Sequence, residues 1–470
     1  MSNTNETTVP IVKEKMNKMS AAGYAVGFSG VNVCWYMINN YLMLFYTDVV
    51  GLAATAISAI MLIARIWDAV NDPMMGAIVD RTNTRWGKFK PYIVIAPPFL
   101  ALFNVLTFTA WPMKGMTKAV VCLLCYIGVG MVYTVLQVAI NGLVNRLSND
   151  SQIKMDIISI AQVGSSIVQT ILGACAMPLI LYFSKSEVAN GRGYFWGTLI
   201  FSLISIPMFW FCAWTCKEVK DKKEDKTEMI TPVKKAEKQP LSKSIKALVK
   251  NKMLLISILS TFIGAVGAIA RMSMLTYYLI YVAGAYAVIA PTFTIISLMQ
   301  MFGNLCLPFL TRKFGKITTF KLLLGGNAAT MLILFFAPKG SVAVLLVLSA
   351  IYGFTNAGAS ICYGMTCDSI DYGEYEFGVR DDALAFSFMS LAVKCATAIT
   401  GSVGVLALAA VGYVAGAEQS AHTITGINVI VNLIPAILVI ISVMVLFFYK
   451  LDEKRMEEIH AELAVRRQAE

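Results

Sequence analysis

RIWDAVNDPMMGAIVDRTNTRWGKFKP, residues 65–91, decides how this chain is read. Its first half has the apolar character of a membrane helix but carries Asp68, Asn71 and Asp72. Residues three and four apart share a helix face, so two carboxylates and a carboxamide converge on one side. Ionised carboxylates inside a bilayer are costly and mark ion or substrate paths. Arg65 lies three residues before Asp68 and offers one local counter-charge. Two acids against one arginine leave negative charge that a bound cation would neutralise. A hard monovalent cation needs several oxygens at once, and Thr134 offers a hydroxyl beside the three polar side chains. Pro73 has no N–H to donate to the Ala69 carbonyl, which frees another oxygen there. The second half of the stretch leaves the membrane through a basic loop with Arg81, Arg85, Lys88 and Lys90.

The rest of the chain agrees with a membrane setting. Of its 470 residues 57% are hydrophobic and 14% charged, with a mean hydropathy of +0.67. A soluble protein of this length carries nearer a quarter charged residues. Apolar runs of about twenty residues, the length that crosses a bilayer, recur throughout. The N-terminus is polar through about Lys18, so no cleavable signal peptide is expected. The ten cysteines fall almost entirely in apolar runs. There they act as small hydrophobes, and the one CxxC (Cys122, Cys125) lies inside such a run, so no metal or redox role is expected.

The expected fold is all-α, with twelve transmembrane helices in two six-helix halves. The predicted spans are about 21–47, 53–79, 91–111, 118–147, 155–183 and 194–216, then 254–282, 287–310, 318–337, 342–367, 383–410 and 427–449. This divides the chain into an N-tail (1–20), an N-terminal bundle (21–216), a lysine-rich linker (217–252), a C-terminal bundle (253–449) and an amphipathic C-tail (450–470). With both termini cytoplasmic, 31 of the 39 Lys and Arg residues fall in or beside cytoplasmic segments. Cytoplasmic loops carry such an excess. The net charge of +11 therefore needs no nucleic acid. Internal repetition is faint: FYTDVVG (45–51) echoes YLIYVAG (278–284), and the loop at 80–91 echoes TRKFGK (311–316). Two halves related along the membrane normal would hold a solute at their shared interface.

Further polar residues fall at midplane depth. Lys394 sits about two turns or more from either end of its helix, too deep to snorkel easily. It is expected to face a central cavity and to meet an acid of the second helix or a ligand's oxygens. Arg271 reads equally as a structural pair or a snorkelling cation. Asn32, Asn39, Asn40, Gln137, Asn141 and Gln162 supply paired donors and acceptors, and Tyr36, Tyr133 and Trp67 supply flat apolar faces, a combination suited to a sugar. On the cytoplasmic side the basic loop with Asp80, Arg81, Arg85 and Lys88, and Arg312 of its echo, faces an acidic segment with Asp368, Glu374 and Arg380. Pairs such as Arg85 or Lys88 with Asp368 or Glu374 are expected to latch an outward-facing state. An exporter of amphiphiles would not call for the paired carboxylates. A membrane enzyme would call for a polar catalytic domain larger than 217–252.

Taken together, YLMLFYTDVVGL (41–52), WDAVNDPMMG (67–76), DRTNTRWGKFKP (80–91), YTVLQVAINGLV (133–144), DYGEYEFGVR (371–380) and Lys394 resemble the glycoside–pentoside–hexuronide:cation symporters of the major facilitator superfamily, among them the melibiose and glucuronide permeases. The resemblance runs from the first predicted helix to the twelfth. It implies uptake of a glycoside or hexuronide coupled to Na⁺ or H⁺, without a cofactor, by a monomeric multi-pass carrier in a bacterial-type inner membrane. Carried over by position, it implies cation ligands at Asp68, Asn71, Asp72 and Thr134. It implies substrate contacts at Asn32, Gln137, Asn141, Gln162 and Lys394, beside which Tyr133 is a candidate contact as a flat aromatic face. At the sugar site this chain departs from melibiose carriers: acids are replaced by Asn32 and Gln137, a tryptophan by Asn141 and an arginine by Gln162. Amides in place of acids suit a carboxylated sugar that Lys394 could pair with.

Overall fold

A computed structural model describes residues 17–82, 84–147, 151–216, 248–284, 286–338, 341–378 and 382–469. The predicted N-tail lies outside the described residues up to 16, and most of the predicted linker also does. The described chain is helical throughout, with only one isolated bridge, Thr84 to Gly87. The N-terminal half comprises α1 (Lys18–Leu44), α2 (Ala54–Arg81), α3 (Lys90–Thr107), α4 (Gly115–Leu143), α5 (Ser151–Ser184) and α6 (Gly191–Thr215). The C-terminal half comprises α7 (Lys252–Tyr277), α8 (Ile289–Phe314) and α9 (Lys316–Phe336). It continues with α10 (Val342–Thr355), α11 (Ala359–Phe377), α12 (Asp382–Ala410), α13 (Ala421–Asn428), α14 (Ile434–Leu446) and α15 (Glu453–Ala469).

Eleven segments among the described residues are long and apolar enough to cross a membrane. The segment expected first, α1, is not among them. Its 27 residues span about 40 Å at 1.5 Å per residue. Asn32, Asn39, Asn40 and several Gly and Ser residues lower its hydropathy, and most of α1 is buried by protein. Helix ends also differ from those read from hydropathy. α2 runs on to Arg81 and α5 starts at Ser151. Hydropathy marks where hydrocarbon stops, whereas a helix continues until its backbone finds a cap. The tenth predicted span is two helices joined by a 3₁₀ turn, Asn356–Gly358, and the last is interrupted by a π turn, Val429–Leu433, just before Pro435.

One of the two faint repeats in the sequence is structural. FYTDV and YLIYV both widen into π turns, Phe45–Val49 and Tyr278–Val282. Each ends on a glycine in the left-handed region, Gly51 at φ 69° and Gly284 at φ 88°, a backbone conformation that side chains resist. The halves meet along three seams: α2 against α12, α5 against α8, and α1 against α7. α1 packs most heavily on α5 and α6, and α7 on α12 and α14. The polar face of α2 therefore lies on a seam. Its opposite stripe, Leu62, Ile66, Val70, Met74 and Ile78, is exposed as a lipid-facing surface would be.

Candidate functional site

Asp72 is the centre of the site. Its Oδ1 accepts a hydrogen bond from the Thr134 hydroxyl of α4 at 3.0 Å, and its Oδ2 pairs with the Lys394 ammonium of α12. One carboxylate thus ties two helices of the N-terminal half to the C-terminal half. One turn earlier, Asp68 pairs with Arg65 at 3.1 Å. Arg65 also donates to the Tyr126 hydroxyl at 3.1 Å and lies 5.9 Å from the Trp35 ring centroid. α4 approaches α2 closely here: a Cβ at Gly130 would come within 3.0 Å of Asp68 Oδ1. A larger residue would push the carboxylate off its present position. Asn71 is fully buried, and neither polar atom of its amide has a partner among the described residues.

One expectation needs correction. The excess negative charge inferred for the pair Asp68 and Asp72 is absent, because Lys394 supplies the second positive charge. Of the two partners expected for Lys394, an acid of the second helix or a ligand's oxygens, the α2–α12 seam brings it to the acid, Asp72. A buried or half-buried carboxylate left without a partner is costly, so an internal ammonium takes the place. Any ion entering must therefore compete with Lys394 for Asp72.

The predicted substrate residues divide into two groups. Tyr133 stacks on Trp35, centroids 4.1 Å apart and planes at 24°, which makes a flat aromatic platform beside Arg65. Gln137, Asn141 and Gln162 are exposed, and their side chains have no partner among the described residues, so their amides are available to a ligand. Asn32 and Asn40 instead donate to carbonyls one turn back in α1, Phe28 at 3.1 Å and Tyr36 at 2.9 Å. Arg271 is a structural cation: fully buried, it lies 4.4 Å from the Tyr352 ring centroid and bonds to Asn432.

The end of the molecule that carries the basic loops is held in part by pairs within the C-terminal half. Asp368 is held by Lys316 of its own half at 2.8 Å, and Glu453 of the C-tail helix accepts from the Lys316 N–H at the start of α9. α15 packs on α11, with His460 3.0 Å from Asp371 and Arg466 donating to the Tyr375 carbonyl at 2.9 Å. Arg85 and Arg312 are exposed and make no ion pair among the described residues, Arg81 is exposed at the end of α2, and Lys88 lies 5.5 Å from the Phe89 ring centroid. Glu374 sits on the last turn of α11, where its carbonyl accepts from the Gly378 N–H. The Asp80 side chain and Arg380 lie outside the described residues.

The far end holds a cluster that sequence reading missed. Asp48, at the fourth position of the first repeat motif, accepts a hydrogen bond from Tyr281 at 2.6 Å, the fourth residue of the second motif. Tyr413, between α12 and α13, donates to the other Asp48 oxygen. Thr47 bonds to Tyr277 at 2.9 Å, and Thr276 donates to the Asn40 carbonyl at 3.1 Å. Burial and the neighbouring Asp48 carboxylate push the Tyr413 hydroxyl far above the usual phenol range, so it remains a donor. The matching motifs were the available signal, but nothing in them shows that their ends meet.

The fold and these seams define a helical membrane transporter with its polar site between two halves. Over residues 23–453 the chain matches the family model described as MFS/sugar transport protein, and it belongs to that family. It is a multi-pass membrane transporter, not an enzyme. It is similar to an isoprimeverose transporter of Lactiplantibacillus pentosus, 31% identical over 92% of this chain and 88% of the relative. It is also similar to a glucuronide carrier protein homolog of Escherichia coli (strain K12), 26% identical over 98% of both chains. Among solved structures, the inward-open xylose transporter XylE from E. coli superposes with a TM-score of 0.61 at 14% identity, over 94% of this chain and 98% of that one. That likeness supports the fold.

Proposed function

We propose that this chain is a cation-coupled symporter that takes up a glycoside or hexuronide with Na⁺ or H⁺ by alternating access. α1 serves as a twelfth span, and both termini and the basic loops are cytoplasmic. The observation that carries the reading is Asp72, bonded at once to Thr134 and Lys394 across the seam between halves. In this reading Lys394 is a tethered stand-in for the coupling ion. The incoming cation takes Asp68, Asn71, Asp72 and Thr134 as oxygen ligands and releases Lys394. The freed ammonium then binds substrate oxygens, so cation and sugar promote one another's binding, reciprocally as linkage requires. Arg65 stays on Asp68 and limits the site to one net charge.

The substrate is a sugar or sugar acid. The Trp35–Tyr133 platform takes the apolar face of a ring, and Gln137, Asn141 and Gln162 take hydroxyls. A uronic group suits the released Lys394. A neutral pentoside or disaccharide is the second reading, favoured by the isoprimeverose relative. Uptake into vesicles of neutral and uronic glycosides, with Na⁺ and pH gradients imposed separately, tests the proposal. Accumulation of one class under one gradient is expected; no response to either gradient would refute coupled transport.

The two ends act as alternating gates. The Asp48–Tyr281–Tyr413 cluster closes the extracellular end, while Arg85 and Lys88 pair with Asp368 or Glu374 when the cytoplasmic end closes. Hydrogen bonds to a charged group contribute about 1.5–3 kcal/mol each, less when part-exposed. Asp48→Ala should therefore shift the population outward by tenfold or more, about 1.4 kcal/mol. Arg85→Ala should shift it inward and slow the cycle with cation affinity nearly unchanged. Rates of thiol labelling from each side measure both. A large loss of cation affinity in Arg85→Ala would contradict the latch.

A further inference from the structure

A cavity of about 510 Å³ runs into the C-terminal bundle among α7, α9, α10, α11, α12 and α14. No cation or substrate contact named so far lies in it except Lys394, which forms part of its wall. Its volume falls in the range of small-molecule sites, about 300–1,000 Å³, and such sites are mostly apolar with a few placed polar groups. The lining fits that description. Tyr363 and Phe386 lie nearly parallel, centroids 6.3 Å apart and planes at 28°, and form an aromatic wall. Asn327 also lines the cavity; it is only 3% exposed, and its side-chain carbonyl oxygen has no partner among the described residues. A buried acceptor left unpaired is costly, and a ligand hydroxyl would recover that cost. A lipid tail offers no donor to Asn327 and gains nothing beside the Lys394 ammonium.

We propose that this cavity holds the second ring, or aglycone, of a glycoside whose first ring sits on the Trp35–Tyr133 side. The inference rests on the sugar-transport reading above and adds that the C-terminal half selects substrates by length. One bound molecule would then contact both halves, with Lys394 between its two parts. A monosaccharide would leave the cavity unfilled and Asn327 unsatisfied.

Two variants test this by equilibrium binding to the purified full-length carrier. The probes are the methyl and 4-nitrophenyl glycosides of xylose and glucuronic acid, together with isoprimeverose, a xylose joined to a glucose. Ala268→Phe places a ring in the cavity. It should weaken the 4-nitrophenyl glycoside and isoprimeverose at least tenfold and the matching methyl glycoside less than threefold. Asn327→Leu removes the acceptor at similar volume. It should weaken isoprimeverose about tenfold and leave the 4-nitrophenyl glycoside, which brings no hydroxyl to the second position, within threefold. Wild-type protein that binds methyl glycosides as well as the longer ones, or variants that weaken all probes equally, would overturn the proposal and leave sugar transport standing. Wild-type protein that binds none of the probes overturns both. Misfolding of Ala268→Phe would show as a lowered melting temperature, and Asn327→Leu then decides.

Discussion

Vesicles carrying Asp72→Cys will equilibrate a labelled glycoside but will not concentrate it. One monovalent cation moving through 100 mV is worth about 2.3 kcal/mol. At about 1.36 kcal/mol per tenfold, that supports about 50-fold accumulation. Removing Asp72 takes away the carboxylate that Thr134 and Lys394 both contact, so the wild-type ratio should fall to about 1. Downhill sugar exchange persists, because the aromatic platform and the amides of Gln137, Asn141 and Gln162 remain in place. Comparing accumulation with exchange in the same preparation separates loss of coupling from loss of protein. Full accumulation in Asp72→Cys would remove Asp72 from the cation site.

Lys394→Ala has the second-largest expected effect, and it acts in opposite directions on the two ligands. Deleting one partner of a buried charge pair costs about 3–5 kcal/mol. The Lys394 side chain is 43% exposed and that of Asp72 28% exposed, so solvent screens the pair. A loss nearer 2 kcal/mol, about 30-fold in affinity, is expected for a uronic glycoside that pairs with the ammonium. A neutral glycoside should lose less than tenfold. The cation should bind at least as tightly as in wild type, because its internal competitor is gone and a larger fraction of sites is competent. Binding of each ligand in the absence of the other checks this. Equal losses for neutral and acidic sugars would end the charge-pairing role, and a loss of cation affinity would end the competition.

What could be read from the chain follows from where the physics is local. The polar face of α2 was legible because helical spacing alone brings Asp68, Asn71 and Asp72 together. The exposed stripe Leu62, Ile66, Val70, Met74 and Ile78 on the opposite face follows the same rule. The membrane setting and the positions of most helices were legible from runs of apolar residues. The partner of Asp72 was half legible: Lys394 was expected to meet an acid of the second helix or a ligand's oxygens, but which of these it meets is settled only when two distant helices pack. The breaks at Asn356–Gly358 and Val429–Leu433 were not read from hydropathy, although Gly358 and Pro435 mark them in the local sequence. The cluster around Asp48 was half legible. FYTDVVG and YLIYVAG looked alike, and both fold as π turns, but the bond between Asp48 and Tyr281 depends on how two halves close. Asn32 suited a ligand by residue type, yet one of its two amide N–H groups is bonded to its own helix.

The central claim is that a cation held at Asp68 and Asp72 moves together with the sugar. Its most direct test imposes a glycoside gradient on proteoliposomes with no cation gradient and follows ²²Na⁺ and internal pH as the sugar enters. Wild-type protein should carry Na⁺ or H⁺ inward with the sugar, and Asp72→Cys should carry the sugar alone. Sugar entry without either ion in the wild type, or undiminished ion entry in Asp72→Cys, would contradict it.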